Sequence, residues 1–426
     1  VTRTVVIIGS SVGGVSTAQA LRREGFEGRI VIAGAETVLP YDKPPLTKQF
    51  LAGDWNTEQV TLLSPEAAEH SGIELHLGAA ATRLDVAGRR VLLADSTELS
   101  YDSLVVATGA SARPSPWHPE SGVHVIRTLQ DSRALREQLQ SGRPLVVVGG
   151  GFIGAEVAGT ARALGHEVTV VDPLPTPLGR VVGPEVGRYF AELHHRHGVE
   201  TRFGVGVEQI DGAAGRLRVR LTDGSVLAAA TVVVGIGAVP NDSWLADSGV
   251  PIDNGVLCDQ YSRAVDAPDI YAVGDVARWL HPRHRELVRV EHWTNAVEQA
   301  ACVAHNIAHP DDLQPYGPVE YVWSDQYDWK IQLVGRPHTA TRFEPIGDLT
   351  GEQPRAAFLY TDNEAERLCG VVTVNWPKAL AQCRRLMTAG GSFDEACERL
   401  GASAPASGRP DSPSSSPGQL NHTRKR

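Results

Sequence analysis

No cysteine occurs in the first 257 residues; five follow, at 258, 302, 369, 383 and 397, and none makes a CxxC pair. An odd, scattered set of this kind excludes a disulfide framework and a cysteine-rich zinc site, so no metal is expected. Also missing is any run approaching the roughly 18 consecutive apolar residues that a membrane-spanning helix needs. Positive charge is scarce: 40 Lys and Arg against 50 Asp and Glu leave a net charge of −10. The last 25 residues hold Arg409, Asp411, Arg424, Lys425 and Arg426, net +3, so the remaining body carries −13. An acidic body disfavours nucleic acid and anionic membranes as partners. The first strand candidate starts at Thr4, which leaves no room for a charged leader, and a cytoplasmic protein is expected. Composition is silent on oligomeric state.

What is present fits a folded chain of two or three domains: 426 residues, 42% hydrophobic and 21% charged. Two segments share one plan. Val5-Val6-Ile7-Ile8 runs into Gly9-Ser10-Ser11-Val12-Gly13-Gly14, and Leu145-Val146-Val147-Val148 runs into Gly149-Gly150-Gly151-Phe152-Ile153-Gly154. Helix candidates follow at Val15–Arg23 and Ala155–Leu164, and each is succeeded by another apolar strand. Strand–helix alternation of this kind predicts parallel α/β architecture. From about Pro318 the texture changes to denser aromatics and alternation, at Val319–Trp323, Lys330–Val334, Ala356–Tyr360 and Gly370–Val374. That pattern predicts a mostly antiparallel unit, closed by helices at Pro377–Ala389 and Phe393–Leu400. Residues 402–426 are Ser, Pro, Gly and basic residues and read as a disordered tail.

A glycine turn between strand and helix lets backbone N–H groups approach a pyrophosphate at the helix N-terminus. Gly9 and Gly14 fill the first and third glycine positions of GxGxxG, while Ser11 replaces the second. Downstream stand Ala107-Thr108-Gly109, where a strand ends in a small-residue turn, and Tyr271-Ala272-Val273-Gly274-Asp275. In the latter, Asp275 stands where it can hydrogen-bond a flavin's polyol linker. The second loop is an unbroken GxGxxG of Gly149, Gly151 and Gly154, and Asp172 ends the next strand 18 residues later. A carboxylate there accepts from the 2′-hydroxyl of NADH and repels the 2′-phosphate of NADPH. Arg180, eight residues on, is either an adenosine contact or a plain surface charge.

In order and spacing these motifs resemble the two-dinucleotide flavoprotein superfamily that includes glutathione reductase. Within it the chain is most similar to the oxygenase-coupled, NADH-dependent ferredoxin reductases. The likeness runs from about Thr4 to Leu400. Three stretches carry it: Leu39-Pro40-Tyr41-Asp42-Lys43-Pro44-Pro45-Leu46-Thr47-Lys48, Glu291-His292-Trp293-Thr294-Asn295-Ala296, and Trp323-Ser324-Asp325-Gln326-Tyr327-Asp328. The resemblance implies two Rossmann-like dinucleotide-binding domains plus a smaller α+β C-terminal domain. Residues 1–110 with 241–316 would bind FAD, 111–240 would bind NAD, 317–401 would form the third domain and 402–426 the tail.

The site residues implied by the resemblance are these. Gly9, Gly13 and Gly14 would meet the FAD pyrophosphate and Asp275 the ribitol. Lys43 and Lys48 would lie along the flavin, Arg127 beside the cofactor, Ala81 beneath the adenine, and Trp293 and Trp323 at the flavin ring. The family's acidic ribose ligand falls at Ala35, so Glu36 is the only nearby carboxylate to take that bond. In the nucleotide-binding helix, Glu156 would lie near the nicotinamide amide and Lys48, or would merely complement the helix dipole from its first turn. The loop holding Gly237 resembles the segment over the nicotinamide.

Electrons would pass as hydride from NADH to FAD and then singly to an iron–sulfur ferredoxin, of 2Fe–2S type, serving a haem monooxygenase or dioxygenase. Disulfide reductases of the superfamily use a CxxxxC pair and peroxidases a single cysteine near the stretch that here reads Lys43-Pro44-Pro45-Leu46. Both thiol routes are therefore disfavoured. Two other readings stay open: a direct reductase of quinones or monodehydroascorbate, and an NADH-sensing interaction protein like apoptosis-inducing factor. A ferredoxin would need a local basic patch for docking, and Lys330 is either part of one or an ordinary exposed strand lysine.

Overall fold

The computed structural model describes residues 3–139, 142–351, 353–362 and 366–401. Thr4–Ile8 lies inside a nine-stranded sheet, paired in parallel with Arg29–Gly34 on one side and Ser103–Val106 on the other. The sheet continues outward from Ser103–Val106 to Ala267–Ala272, so it is woven from two separate stretches of chain. Val5, Val6, Ile7 and Ile8 are all buried, as parallel strands covered on both faces must be. One cover is helical: Val12–Arg23 packs Val15, Ala18 and Leu21 with Ala300, Val303 and Ile307 of Trp293–Ala308.

A second, five-stranded parallel sheet centres on Leu145–Val148, flanked by Val168–Asp172 and Thr231–Val234. The chain reaches it through Ala110–Ala112 and returns through Ala238–Pro240. These two segments pair antiparallel as a narrow ribbon. The helix Phe152–Ala163 begins three residues earlier than the sequence pattern predicts. Phe152, Ile153 and Gly154 look like loop in sequence, yet they form its first turn.

The third unit is a five-stranded antiparallel sheet, in spatial order Tyr321–Gln326, Trp329–Gly335, Leu368–Val374, Arg355–Thr361 and Arg342–Asp348. Pro377–Ala389 and Phe393–Leu400 cover one face, within the bounds expected from sequence. The other face, through Trp329, Phe358 and Tyr360, packs on Val182, Val186, Phe190 and Leu193 of the helix Gly179–Arg196. The edge strand Arg342–Asp348 was not expected: it carries Pro345 and is largely exposed, so it lacks a buried alternation. The tail, 402–426, lies outside the described residues. Among the described residues no helix is long and apolar enough to cross a membrane.

Candidate active site

The two glycine loops fold alike. Gly9 and Gly149 adopt φ of +124° and +114°, and a Cβ on either would fall 2.1 or 2.2 Å from the carbonyl oxygen of Ala107 or Gly235. A Cβ on Gly14 would fall 1.9 Å from the Gly9 oxygen, and one on Gly154 2.0 Å from the Gly149 oxygen. Both positions are therefore closed to side chains by backbone, which holds each helix start tightly against its strand. Neither helix N-terminus is capped by a side chain, at Ser11 or at Gly151. The first-turn N–H groups are left facing outward for an anion. The Ser11 hydroxyl is buried and finds no hydrogen-bond partner.

Around the first loop the motifs converge. Thr108 donates to the Asn241 carbonyl at 2.7 Å, and the Asn241 N–H donates to Gly109 at 2.9 Å, which ties the Ala107-Thr108-Gly109 turn to the returning chain. Arg127 donates to the Ala110 carbonyl and to the Asp275 carboxylate, both at 2.7 Å. Gly274 and Asp275 form a short 3-10 turn beside the first residues of Trp293–Ala308. Ala81 opens the strand Ala81–Asp85, two residues past Ala79, whose N–H donates to Gly34 at 3.1 Å. Gly78, three residues before Ala81, donates to the Glu36 carbonyl at 3.0 Å, so this strand starts from the end of Arg29–Gly34.

Glu36 is engaged by protein: both its oxygens accept from the Tyr41 hydroxyl, at 3.0 and 2.8 Å, and Lys43 lies 4.0 Å away. Burial and then Glu36 push the Tyr41 phenol well above its usual range. Burial, with Arg127 nearby, brings the Lys43 ammonium down to about 8. Trp293 donates to Asp42 at 2.7 Å and meets Trp323 edge to face at 5.7 Å. His292, just before Trp293, is held down to about 4 by burial, and its Nδ1 is buried with no partner.

Glu156 meets Lys48, as the resemblance implies, but not from the helix's first turn. It is the fifth residue of its helix rather than a first-turn residue, and it is buried. Its Oε2 accepts from Thr47 at 2.5 Å and from Lys48 Nζ at 2.8 Å, while Oε1 accepts from Ser324 at 2.7 Å. One carboxylate thus joins all three units. Complementing a helix dipole would not require burial among three donors, so the dipole alternative is dropped.

In the second loop, Asp172 accepts from the Gly150 N–H at 2.7 Å and from the Leu174 N–H at 2.8 Å. Its carboxylate sits against the glycine loop with lone pairs to spare. Gly151 has nothing within 4 Å of an added Cβ, and Ile153 is 45% exposed, so this loop faces open space. Arg180 is exposed, in the first turn of Gly179–Arg196. The Gly237 carbonyl accepts from Arg113 at 2.9 Å, where the ribbon meets the second sheet.

Sequence reasoning missed Thr47, Ser324, Tyr41, Asp42 and His292 as site residues. Each lies inside one of the three quoted motif stretches, so a signal was present without a role. The five cysteines take no part in these contacts. All are free, and burial raises every thiol, those of Cys302, Cys383 and Cys397 to about 11.

Two uncapped helix starts against closed glycine turns, with a buried orphan hydroxyl at one and a strand-end carboxylate at the other, fit two dinucleotides. Such a fold and site define a two-dinucleotide oxidoreductase. Residues 3–300 match the pyridine nucleotide–disulphide oxidoreductase family and residues 321–399 match the reductase C-terminal domain. The chain is 38% identical over 387 residues to rhodocoxin reductase of Rhodococcus erythropolis, covering 90% of this chain and 89% of that one. Among solved structures, it is similar to the ferredoxin reductase of the CYP199A2 system from Rhodopseudomonas palustris, with a TM-score of 0.87 at 33% identity, covering 93% and 97%. It is likewise similar to a covalent putidaredoxin reductase–putidaredoxin complex, with a TM-score of 0.86 at 33% identity, covering 94% and 99%. The chain belongs to the pyridine nucleotide–disulphide oxidoreductase family and groups with its ferredoxin reductases. FAD and NAD(H) are the cofactors of that family.

Proposed function

We propose that this chain is an FAD-dependent NADH:ferredoxin oxidoreductase, supplying electrons to a small 2Fe–2S ferredoxin that serves a haem monooxygenase or dioxygenase. Residues 1–110 with 241–316 hold FAD, 111–240 hold NADH, and 317–401 complete the flavin's surroundings. When bound, FAD takes two electrons from NADH and releases them one at a time.

The chain's own residues orient and shield. Gly9, Gly13 and Gly14 give the pyrophosphate its backbone donors, Asp275 accepts from the ribitol, and Arg127 holds Asp275 in place. Lys43 lies along the cofactor, Ala81 lies beneath the adenine, and Glu36, already held by Tyr41, is the acidic group nearest the ribose. Glu156 fixes Lys48, whose cation favours a reduced, anionic ring. Trp293 and Trp323 keep water from that ring. Gly149, Gly151 and Gly154 receive the second pyrophosphate, Asp172 selects the 2′-hydroxyl, and Arg180 and Gly237 border the coenzyme. Free thiols and use of NADH accord with a cytoplasmic location.

The observation that carries the reading is the state of the thiols: none precedes Cys258, and burial raises all five. With no thiolate available, electrons leave from the flavin itself. The test is NADH-driven cytochrome c reduction with and without a panel of 2Fe–2S ferredoxins. A strong ferredoxin requirement that survives thiol alkylation is expected. Turnover abolished by alkylation, or four electrons taken up per flavin in anaerobic titration, would place the protein with the disulfide reductases instead.

A further inference from the structure

Far along the helix from Trp293, His305 and His309 stand one turn apart near its C-terminal end, facing Glu24 at the end of Val12–Arg23. Glu24 Oε2 lies 3.3 Å from His305 Nδ1 and 3.1 Å from His309 Nε2. The three ligand atoms all lie within 4.8 Å of one another. Bonds of about 2.0–2.1 Å to a tetrahedral zinc place neighbouring ligand atoms about 3.3 Å apart, so the spacing suits one ion.

Hydrogen-bond roles point the same way. His305 Nε2 lies 3.0 Å from the Asp312 carbonyl and 3.6 Å from its carboxylate, acceptors only, so Nε2 is turned away as the donor and Nδ1 is the atom turned to Glu24. Nδ1 faces the Glu24 carboxylate, and either a second ring proton or a metal ion on Nδ1 satisfies that oxygen. A ring whose second N–H is fixed by a backbone carbonyl is also how metal-bound histidines are usually oriented. Both helices end here, Glu24 and His309 being their C-caps, so two negative dipole ends converge on the spot. The same helix end already draws one cation, Arg3, whose guanidinium donates to Ile307 at 3.1 Å.

The other histidine–carboxylate group, His281, His284 and Glu320, lacks this property. His281 Nε2 faces the Pro318 carbonyl, and Nδ1 accepts from the Arg283 and His284 N–H groups, which leaves it no lone pair for a metal.

We propose that His305 Nδ1, His309 Nε2 and a Glu24 carboxylate oxygen bind a divalent transition metal of the zinc class, with water completing the shell. Bound there, the ion staples together the far ends of two helices whose near ends flank the first glycine loop and the paired tryptophans. Its role is structural, and the electron path does not pass through it.

The test uses untagged, FAD-loaded protein, stripped with a chelator and dialysed against zinc at fixed pH. One zinc per chain should be retained at micromolar concentration, raising Tm by a few degrees. His309→Ala and Glu24→Gln, both at half-exposed positions, should keep the flavin absorbance and weaken retention by at least about tenfold. No zinc at micromolar concentration would overturn the proposal. So would retention unchanged in both variants, or retention lost only in His284→Ala.

Discussion

The two glycine loops are near copies in backbone geometry, and they differ in what surrounds them. The first is backed closely: a Cβ on Gly13 would fall 3.3 Å from the Val273 side chain, and one on Gly34 would fall 2.2 Å from the Ser10 hydroxyl. The second is open on the side of Gly151 and the exposed Ile153. On the function proposed above, one strand–turn–helix unit serves two needs, a resident cofactor at the more closely backed loop and an exchanging one at the open edge. What separates them is the packing around the loop.

The strongest way to break the comparison is to cut the link between the two sites. Glu156→Ala leaves Lys48, which is only 14% exposed, without its partner. Removing one member of a buried ion pair costs about 3–5 kcal/mol, measurable by urea denaturation. The flavin's reduction by NADH should slow with it. The next largest effect falls on the open loop alone: Asp172→Ala should shrink the preference for NADH over NADPH by roughly ten- to hundredfold in kcat/KM, about 1.5–3 kcal/mol. Equal use of both coenzymes by the unaltered protein would refute the role given to Asp172.

The paired substitutions Gly14→Ala and Gly154→Ala sharpen the contrast, since each drives a Cβ into a carbonyl oxygen at about the same distance. Both should lose about 1–3 kcal/mol of stability. Only the first should be purified short of FAD, read from its visible absorbance.

Acid gives the most gradual and most distributed effect. Burial holds His194, His281 and His292 at about 4, below the roughly 6.5 of an unfolded histidine. As pH falls, the unfolded chain takes up these protons first. The stability is complete above about 6.5 and drains away towards 4, by about 1.4 kcal/mol per pH unit for each histidine. Two of the three belong to the first half of the comparison and one to the second. Replacing His292 with Gln should flatten the acid slope of FAD retention, whereas His194→Gln should leave that slope unchanged and flatten only the unfolding curve.

Much of the fold was legible because apolar runs and glycine turns are local signals. Thr4–Ile8, Leu145–Val148 and the last two helices fell where the pattern put them. Arg342–Asp348 was hidden because an exposed edge strand has no reason to alternate. The site was legible as motifs and much less as contacts. Arg127 meets Asp275 across 148 positions, and Ser324 meets Glu156 across 168. Nothing local in a sequence records which donor a buried carboxylate will find.

The ribbon of Ala110–Ala112 against Ala238–Pro240 has a further consequence. Because the chain leaves the first sheet and re-enters it at one narrow neck, the stretch between has its two ends side by side. Such a module can be exchanged for another of the same span without rethreading the sheet that carries it. On the function proposed above, a new coenzyme preference could be brought in on this one stretch, provided the incoming module keeps Arg127 and Glu156, its ties to Asp275 and Lys48.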